Sequence, residues 1–111
     1  MANKNLEPLE KDIQNACCEY LARKKHFFWR QNTTPIYNRQ LGMYRAMPKY
    51  SKKGIPDIIL IDPIKKVMFL EVKRKSGKMS IEQISFRTRC YELGVPHHII
   101  TSVDDLINLG L

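Results

Sequence analysis

Residues 56–73 read PDIILIDPIKKVMFLEVK. Pro56-Asp57 opens the apolar run Ile58 to Ile61. Asp62-Pro63 and Lys65-Lys66 interrupt it, and a second run, Val67 to Leu70, leads into Glu71-Val72-Lys73. Two short apolar runs split by proline and charge predict a β-hairpin. Side chains alternate along a strand, so Glu71 and Lys73 share one face while Leu70 and Val72 take the other. An acid and a lysine on so apolar a strand need a reason, because buried charge is costly unless it is paired or binds metal. Asp57 heads the neighbouring strand and reaches the same place. Two carboxylates and one ammonium then converge, a set that suits a hard divalent cation beside a water molecule. For an isolated Glu-x-Lys the plain alternative is a self-satisfied charge cluster on a solvated strand face. The addition of Pro56-Asp57 across the hairpin favours a site.

Upstream, residues 9–23 predict an amphipathic helix. Leu9, Ile13, Ala16, Cys17, Tyr20 and Leu21 recur at helical spacing and form one apolar stripe. Glu10 falls inside that arc, whereas Glu7, Asp12 and Glu19 lie outside it. An acid on a buried face is a candidate metal ligand or pKa-shifted group. A first-turn glutamate that meets the helix dipole is the simpler role. Gln14, one turn on, is placed to support Glu10, to touch a nucleic acid, or to sit in solvent. Phe27 to Arg30 predicts an aromatic-rich strand.

The polar stretch 31–53 is long for a plain loop, and such loops are often functional. A short strand or helical turn is expected within it at residues 41–47. Arg39, Arg45, Lys49, Lys52 and Lys53 alternate there with Tyr37, Tyr44 and Tyr50. That pattern suits a flap with cations for phosphates and rings for exposed bases. Tyrosines that fold back onto their own domain are the alternative.

Downstream of the hairpin, Ser76-Gly77-Lys78 predicts a turn. Ser80 then caps a second helix, with Gln83 completing a capping box. Gly94 ends that helix as its C′ residue, and Pro96 follows. Gln83 thus has a structural role that needs no chemistry. His97 to Thr101 predicts a strand, on which adjacent histidines face opposite ways and make a poor chelating pair. Ser102 is the expected cap of a short C-terminal helix that opens at Asp104-Asp105.

The chain has 111 residues, 43% of them hydrophobic, enough for one domain with a modest core. Residues 1–8 are expected to be a flexible lead-in and 9–111 a single domain. Met1 to Pro8 lacks a signal-peptide core, and no apolar run approaches the roughly 18 residues of a membrane span. A cytoplasmic location with no membrane partner is therefore expected (the host cytoplasm for a viral protein). Three cysteines without Cys-x-x-Cys spacing indicate neither a disulfide scaffold nor a zinc site. Cys17 and Cys90 fit helix faces as core residues. No P-loop or dinucleotide-binding pattern occurs, so no nucleotide cofactor is expected. A net charge of +8 points to a polyanionic partner, with nucleic acid the first candidate and a basic surface without a partner the alternative. The candidate contacts are Gln14, Lys49, Lys52, Lys53, Arg74, Lys75, Lys78 and Arg87.

The segments Gly54-Ile55-Pro56-Asp57, Glu71-Val72-Lys73 and Ser80-Ile81-Glu82-Gln83, with the leading helix carrying Glu10-Lys11-Asp12-Ile13-Gln14, resemble the PD-(D/E)XK nucleases. More closely, they resemble the small stand-alone VRR-NUC domains of phage and bacterial type, over residues 9–106. The resemblance implies an α/β restriction-endonuclease-like core, a small mixed sheet flanked by helices in the order α-β-β-β-α-β. It implies that Glu10, Asp57, Glu71 and the Val72 carbonyl hold Mg²⁺ or Mn²⁺. It implies that Lys73 serves the attacking water or the developing phosphorane charge, and that Gln83 orients water or meets the scissile phosphate region. Because neighbouring carboxylates oppose the fall in pKa a lysine base requires, a positioning and electrostatic role suits Lys73 better. It further implies a homodimer that resolves four-way DNA junctions. A flap, nicking or non-specific endonuclease is the nearest alternative, and a catalytically inactive basic DNA-binding accessory is the alternative of another class.

Overall fold

A computed structural model describes residues 7–31, 37–44 and 48–111. Arg45 and residues 32–36 of the expected flap lie outside the described residues. The elements in chain order are α1 (Glu10–Arg23), β1 (Phe27–Arg30), β2 (Tyr37–Asn38), β3 (Met43–Tyr44), β4 (Ile58–Asp62), β5 (Lys66–Val72), α2 (Ile81–Glu92), β6 (His97–Ile100) and α3 (Val103–Asn108).

The hairpin forms as its sequence predicts. β4 and β5 pair antiparallel, from Ile58 opposite Leu70 to Asp62 opposite Lys66. Its turn is built by Asp62, whose carboxylate accepts the Ile64 and Lys65 N–H groups at 2.9 Å each. Those two bonds hold the Asp62 carboxyl below its usual pKa.

β1 joins β4 antiparallel, with Phe28 opposite Leu60 and Arg30 opposite Ile58. β6 joins β5 in parallel, with Phe69 opposite His97 and Val72 opposite Ile100. A parallel neighbour requires a crossover, and α2 supplies it. The result is a four-stranded mixed sheet in the order β1-β4-β5-β6. The main elements follow the expected α-β-β-β-α-β order, with α3 appended. Within the long connection, β2 and β3 add a separate two-stranded hairpin, Tyr37 opposite Tyr44.

Strand alternation sorts the sheet into two faces. Ile58, Leu60, Met68, Leu70, Val72 and Ile100 pack with Ile13, Cys17 and Leu21 of α1 and with Leu106 of α3. The Tyr20 hydroxyl donates to the Leu111 carbonyl at 2.7 Å and ties the C-terminus to α1. The opposite face carries Phe69, which meets Phe86 of α2 edge-on at 5.0 Å, and His97, 6.4 Å from the same ring. Burial lowers the His97 pKa, and the Arg87 charge acts the same way. Cys17 and Cys90 are buried free thiols, and burial raises the Cys17 pKa to about 11.

Two local expectations need correction. Leu9 and Ala16, expected in the apolar stripe of α1, are exposed, and its buried residues are Ile13, Cys17 and Leu21. Ser102 occupies the N-cap of α3 without a side-chain cap bond. Asp105 anchors that turn instead, accepting from the Thr101 N–H at 2.7 Å and its hydroxyl at 2.9 Å. The α2 cap forms as predicted: the Ser80 hydroxyl accepts from Gln83 N at 3.1 Å, and the Gln83 amide oxygen accepts from Ser80 N at 2.8 Å.

Candidate active site

The site begins at the mouth of the hairpin, where the β4–β5 ladder ends. Asp57 stands one residue before β4, and its Oδ2 accepts the Val72 N–H at 2.9 Å. The Asp57 carbonyl accepts the Gln31 N–H at 2.7 Å, extending the β1–β4 pairing by one step. Asp57 is therefore held by backbone on both sides. Gly54 explains the approach of this segment. Its φ is +78°, and a Cβ there would collide with the Glu82 carbonyl and stand 2.7 Å from Gln83 N. Only glycine lets the Gly54-Ile55-Pro56-Asp57 segment press against the first turn of α2.

Glu71 lies near the end of β5, on the α2 face, and is only 1% exposed. Its Oε2 accepts from Gln83 Nε2 at 3.3 Å, while Oε1 is buried without a hydrogen-bonding partner. Burial, above all, pushes the Glu71 carboxyl up to about 9, and the neighbouring Asp57 carboxyl acts the same way. Lys73 pulls in the opposite direction, and Glu10 adds a small upward push. The four groups thus act on one another across a small volume.

Lys73 follows β5 directly, is buried, and its N–H donates to the Ile100 carbonyl at 2.9 Å. It forms no ion pair at contact distance among the described residues. Its ammonium is therefore available at the site.

Burial and the neighbouring Asp57 outweigh Lys73 and favour the protonated form of Glu71. Oxygen donors, one of them orphaned, fit a hard divalent ion that would let Glu71 ionise. Among the described residues no three Asp, Glu, His or Cys side chains stand together as a ready ligand set. The nucleus is thus the Asp57–Glu71 pair, with Glu10 on α1 within electrostatic reach.

The remaining candidates fall around this nucleus in different ways. The Gln14 amide oxygen accepts from Arg30 Nη2 at 2.6 Å, so Gln14 serves a cation on the next strand. Lys49, Lys52 and Lys53 are exposed, and Lys49 stands 5.2 Å from the centre of the Tyr50 ring. Tyr50 is 88% exposed and does not fold back onto the domain. Lys75 and Lys78 are exposed on the loop after Lys73. Arg74, on the same loop, turns inward and pairs with Glu7 at 3.3 Å. Arg87 Nε donates to the Tyr91 hydroxyl at 2.9 Å, one turn beyond Gln83.

Sequence reasoning missed two residues here. Glu7 also accepts from Ser76 N and the Ser76 hydroxyl, each at 2.9 Å, and so clasps the loop that follows Lys73. No local pattern signals a contact between residues 7 and 76. Arg30 closes β1 beside Asp57. Its signal was available, because alternation from Phe28 turns it toward α1.

Among solved structures, the chain is similar to one described as a VRR_NUC domain, with a TM-score of 0.63. The match covers 90% of this chain and 91% of that one at 18% sequence identity. The likeness is one of fold, a mixed sheet flanked by helices. No family model and no curated protein matches the sequence.

Proposed function

We propose that the chain is a metal-dependent, structure-selective DNA endonuclease that hydrolyses phosphodiester bonds, with four-way junctions as its substrate and a homodimer as its working form. The observation that carries this reading is the buried Glu71, one oxygen orphaned, beside Asp57 and Lys73 on a fold shared with a VRR_NUC domain. Asp57 and Glu71, with Glu10 and the Val72 carbonyl, would hold Mg²⁺ or Mn²⁺. Such an ion, when bound, polarises the phosphodiester and lowers the pKa of a bound water.

The chain's own groups do the rest. Val72 N fixes the Asp57 carboxylate, and Gln83 fixes Glu71, so neither acid has to reorganise when substrate arrives. Lys73 places its ammonium where negative charge builds on the phosphorane. The exposed Lys49, Lys52, Lys53, Lys75 and Lys78 supply the field that holds the DNA backbone. The homodimer reading draws support from the sheet face that α2 leaves bare at β1, where Phe27 is 67% and Trp29 40% exposed.

The test is cleavage of a labelled four-way junction beside a matched linear duplex, a flap and a nicked duplex. Each is run with Mg²⁺, Mn²⁺ or EDTA, with Lys73→Ala as control. Paired symmetric cuts on the junction alone, lost in EDTA and in the variant, are expected. Cutting of every substrate would leave a general nuclease. Binding without cutting in either metal would favour an inactive DNA-binding accessory.

A further inference from the structure

Arg30 ends β1 at the rim of the site. Its partner in the ladder is Ile58, the residue after Asp57, and the next residue, Gln31, donates its N–H to the Asp57 carbonyl at 2.7 Å. Arg30 therefore stands diagonally across the β1–β4 ladder from Asp57, and Gln14 and Asn15 of α1 hold its guanidinium on the α1 side. Arg30 is thus on the α1 side of the acid pair, whereas Gln83 approaches from the α2 side.

The guanidinium is held but not neutralised. Nη2 donates to Gln14 Oε1 at 2.6 Å and Nη1 donates to Asn15 Oδ1 at 3.3 Å. Both acceptors are uncharged amides. Among the described residues no carboxylate stands within ion-pair distance of Arg30. Contrast Arg74, whose charge is matched by Glu7 at 3.3 Å. A guanidinium has five N–H donors in a fixed fork. Two bonds to neutral oxygens orient the fork and leave its full charge and the other donors open to solvent, where Arg30 is exposed. A planar fork of this kind matches the non-bridging oxygens of a phosphodiester, which a lysine meets only as a point charge.

We infer that Arg30 is a phosphate clamp, oriented by Gln14 and Asn15, that grips a backbone phosphate of the bound nucleic acid next to the one presented to Asp57 and Glu71. The inference deepens the nuclease reading and rests on it for the identity of the ligand. Gln14 then acts as a positioning residue.

The experiment measures equilibrium binding of a labelled linear duplex and a labelled four-way junction, in EDTA so that the DNA stays intact, across a range of NaCl concentrations. One phosphate contact contributes about 0.9 to the slope of log K against log[salt] on duplex DNA. Arg30→Gln is expected to lower that slope by roughly one and to weaken both DNAs alike. Arg30→Lys keeps the slope and loses part of the affinity, because charge remains and the fork does not. Gln14→Leu, which leaves the arginine in place, likewise keeps the slope and weakens binding. An unchanged slope in folded Arg30→Gln overturns the inference and leaves Arg30 as a brace between α1 and β1. Should Arg30→Gln fail to fold, unchanged affinity in both Arg30→Lys and Gln14→Leu overturns it equally. Wild-type protein that binds neither DNA overturns it as well. The outcome is separable from the nuclease reading. A reduced slope with no cleavage in Mg²⁺ or Mn²⁺ sinks the nuclease and keeps the clamp. Cleavage with an unchanged slope does the reverse.

Discussion

The carboxylate of Asp57 accepts the backbone N–H of Val72 at 2.9 Å, so one candidate ligand is aimed by the peptide that joins Glu71 to Val72. The bond also satisfies an N–H that would otherwise be lost at the end of the ladder. Asp57→Asn retains an oxygen that can accept it, while Asp57→Ala does not. We expect Asp57→Asn to keep the wild-type melting temperature within a few degrees and to abolish cleavage. Asp57→Ala should abolish cleavage and also cost about 1–3 kcal/mol, the range for an unsatisfied buried donor. Denaturant unfolding of both variants checks this. Equal stability of the two would mean that water replaces the carboxylate at Val72.

Glu71 makes stability depend on pH in an unusual direction. Its folded-state pKa is raised from 4.5 to about 9, chiefly by burial. Between those values the folded protein holds a proton that the unfolded chain has released. Stability contributed by this group is complete below 4.5 and is lost as pH climbs towards 9. In the metal-free protein the melting temperature should therefore fall across that window, and Glu71→Gln should flatten the fall. A divalent ion that lets Glu71 ionise should raise the melting temperature more at the alkaline end than at the acidic end. The same pH slope in wild type and Glu71→Gln would refute the assignment.

Gly54 is fixed by a close approach rather than by flexibility. With φ at +78° and the Glu82 carbonyl where a Cβ would go, Gly54→Ala meets both strain and backbone overlap. Neither the segment nor the first turn of α2 can yield without moving Asp57 or Gln83. The expected cost is at least about 1–3 kcal/mol, the scale of local backbone strain. Thermal unfolding reads that cost, and a cleavage loss larger than the stability loss explains would show that the site has shifted too. Gly94→Ala is the matched control, since its φ is +71° but nothing stands within 4 Å of its Cβ position. If Gly54→Ala is no more destabilising than Gly94→Ala, the close packing is not real.

The clasp from Glu7 to Ser76 should hold the loop beyond Lys73. Hydrogen bonds from Ser76 and the nearby Arg74 charge keep the Glu7 carboxyl below its usual pKa of 4.5. Its contribution is present above that value and disappears as pH falls through the lowered one. The Ser76 amide resonance should therefore titrate below 4.5, in step with Glu7. Glu7→Ala should speed hydrogen exchange at Ser76 and lower cleavage several-fold while leaving the core amides of β4 and β5 protected. Titration of Ser76 at the ordinary carboxylate value would argue that the clasp is not populated in solution.

Much of this architecture was legible in the sequence, because it rests on short periods and local hydrogen bonds. The hairpin followed from two apolar runs about Asp62-Pro63. The shared face of Glu71 and Lys73 followed from the two-residue repeat of a strand, and the α2 cap from Ser80 and Gln83. These features need only the few residues on either side, so a linear reading suffices. The same method failed at Ala16, where spacing suggested burial but the facing elements leave that side of α1 open. It failed at Ser102, where the capping position was right and Asp105 did the bonding.

The sequence by itself singled out the groups proposed to carry the chemistry and set Glu71 and Lys73 on one strand face. Only the tertiary structure decided how those groups are supported. The pairing of Gln14 with Arg30 spans 16 residues and that of Glu7 with Ser76 spans 69. Neither follows from propensity, because each depends on how α1 lies across the sheet and where the chain before it meets the loop after β5. The raised pKa of Glu71 belongs to the same class. It comes from burial and from Asp57 across the hairpin, a field that exists only when distant segments have excluded water from a common volume.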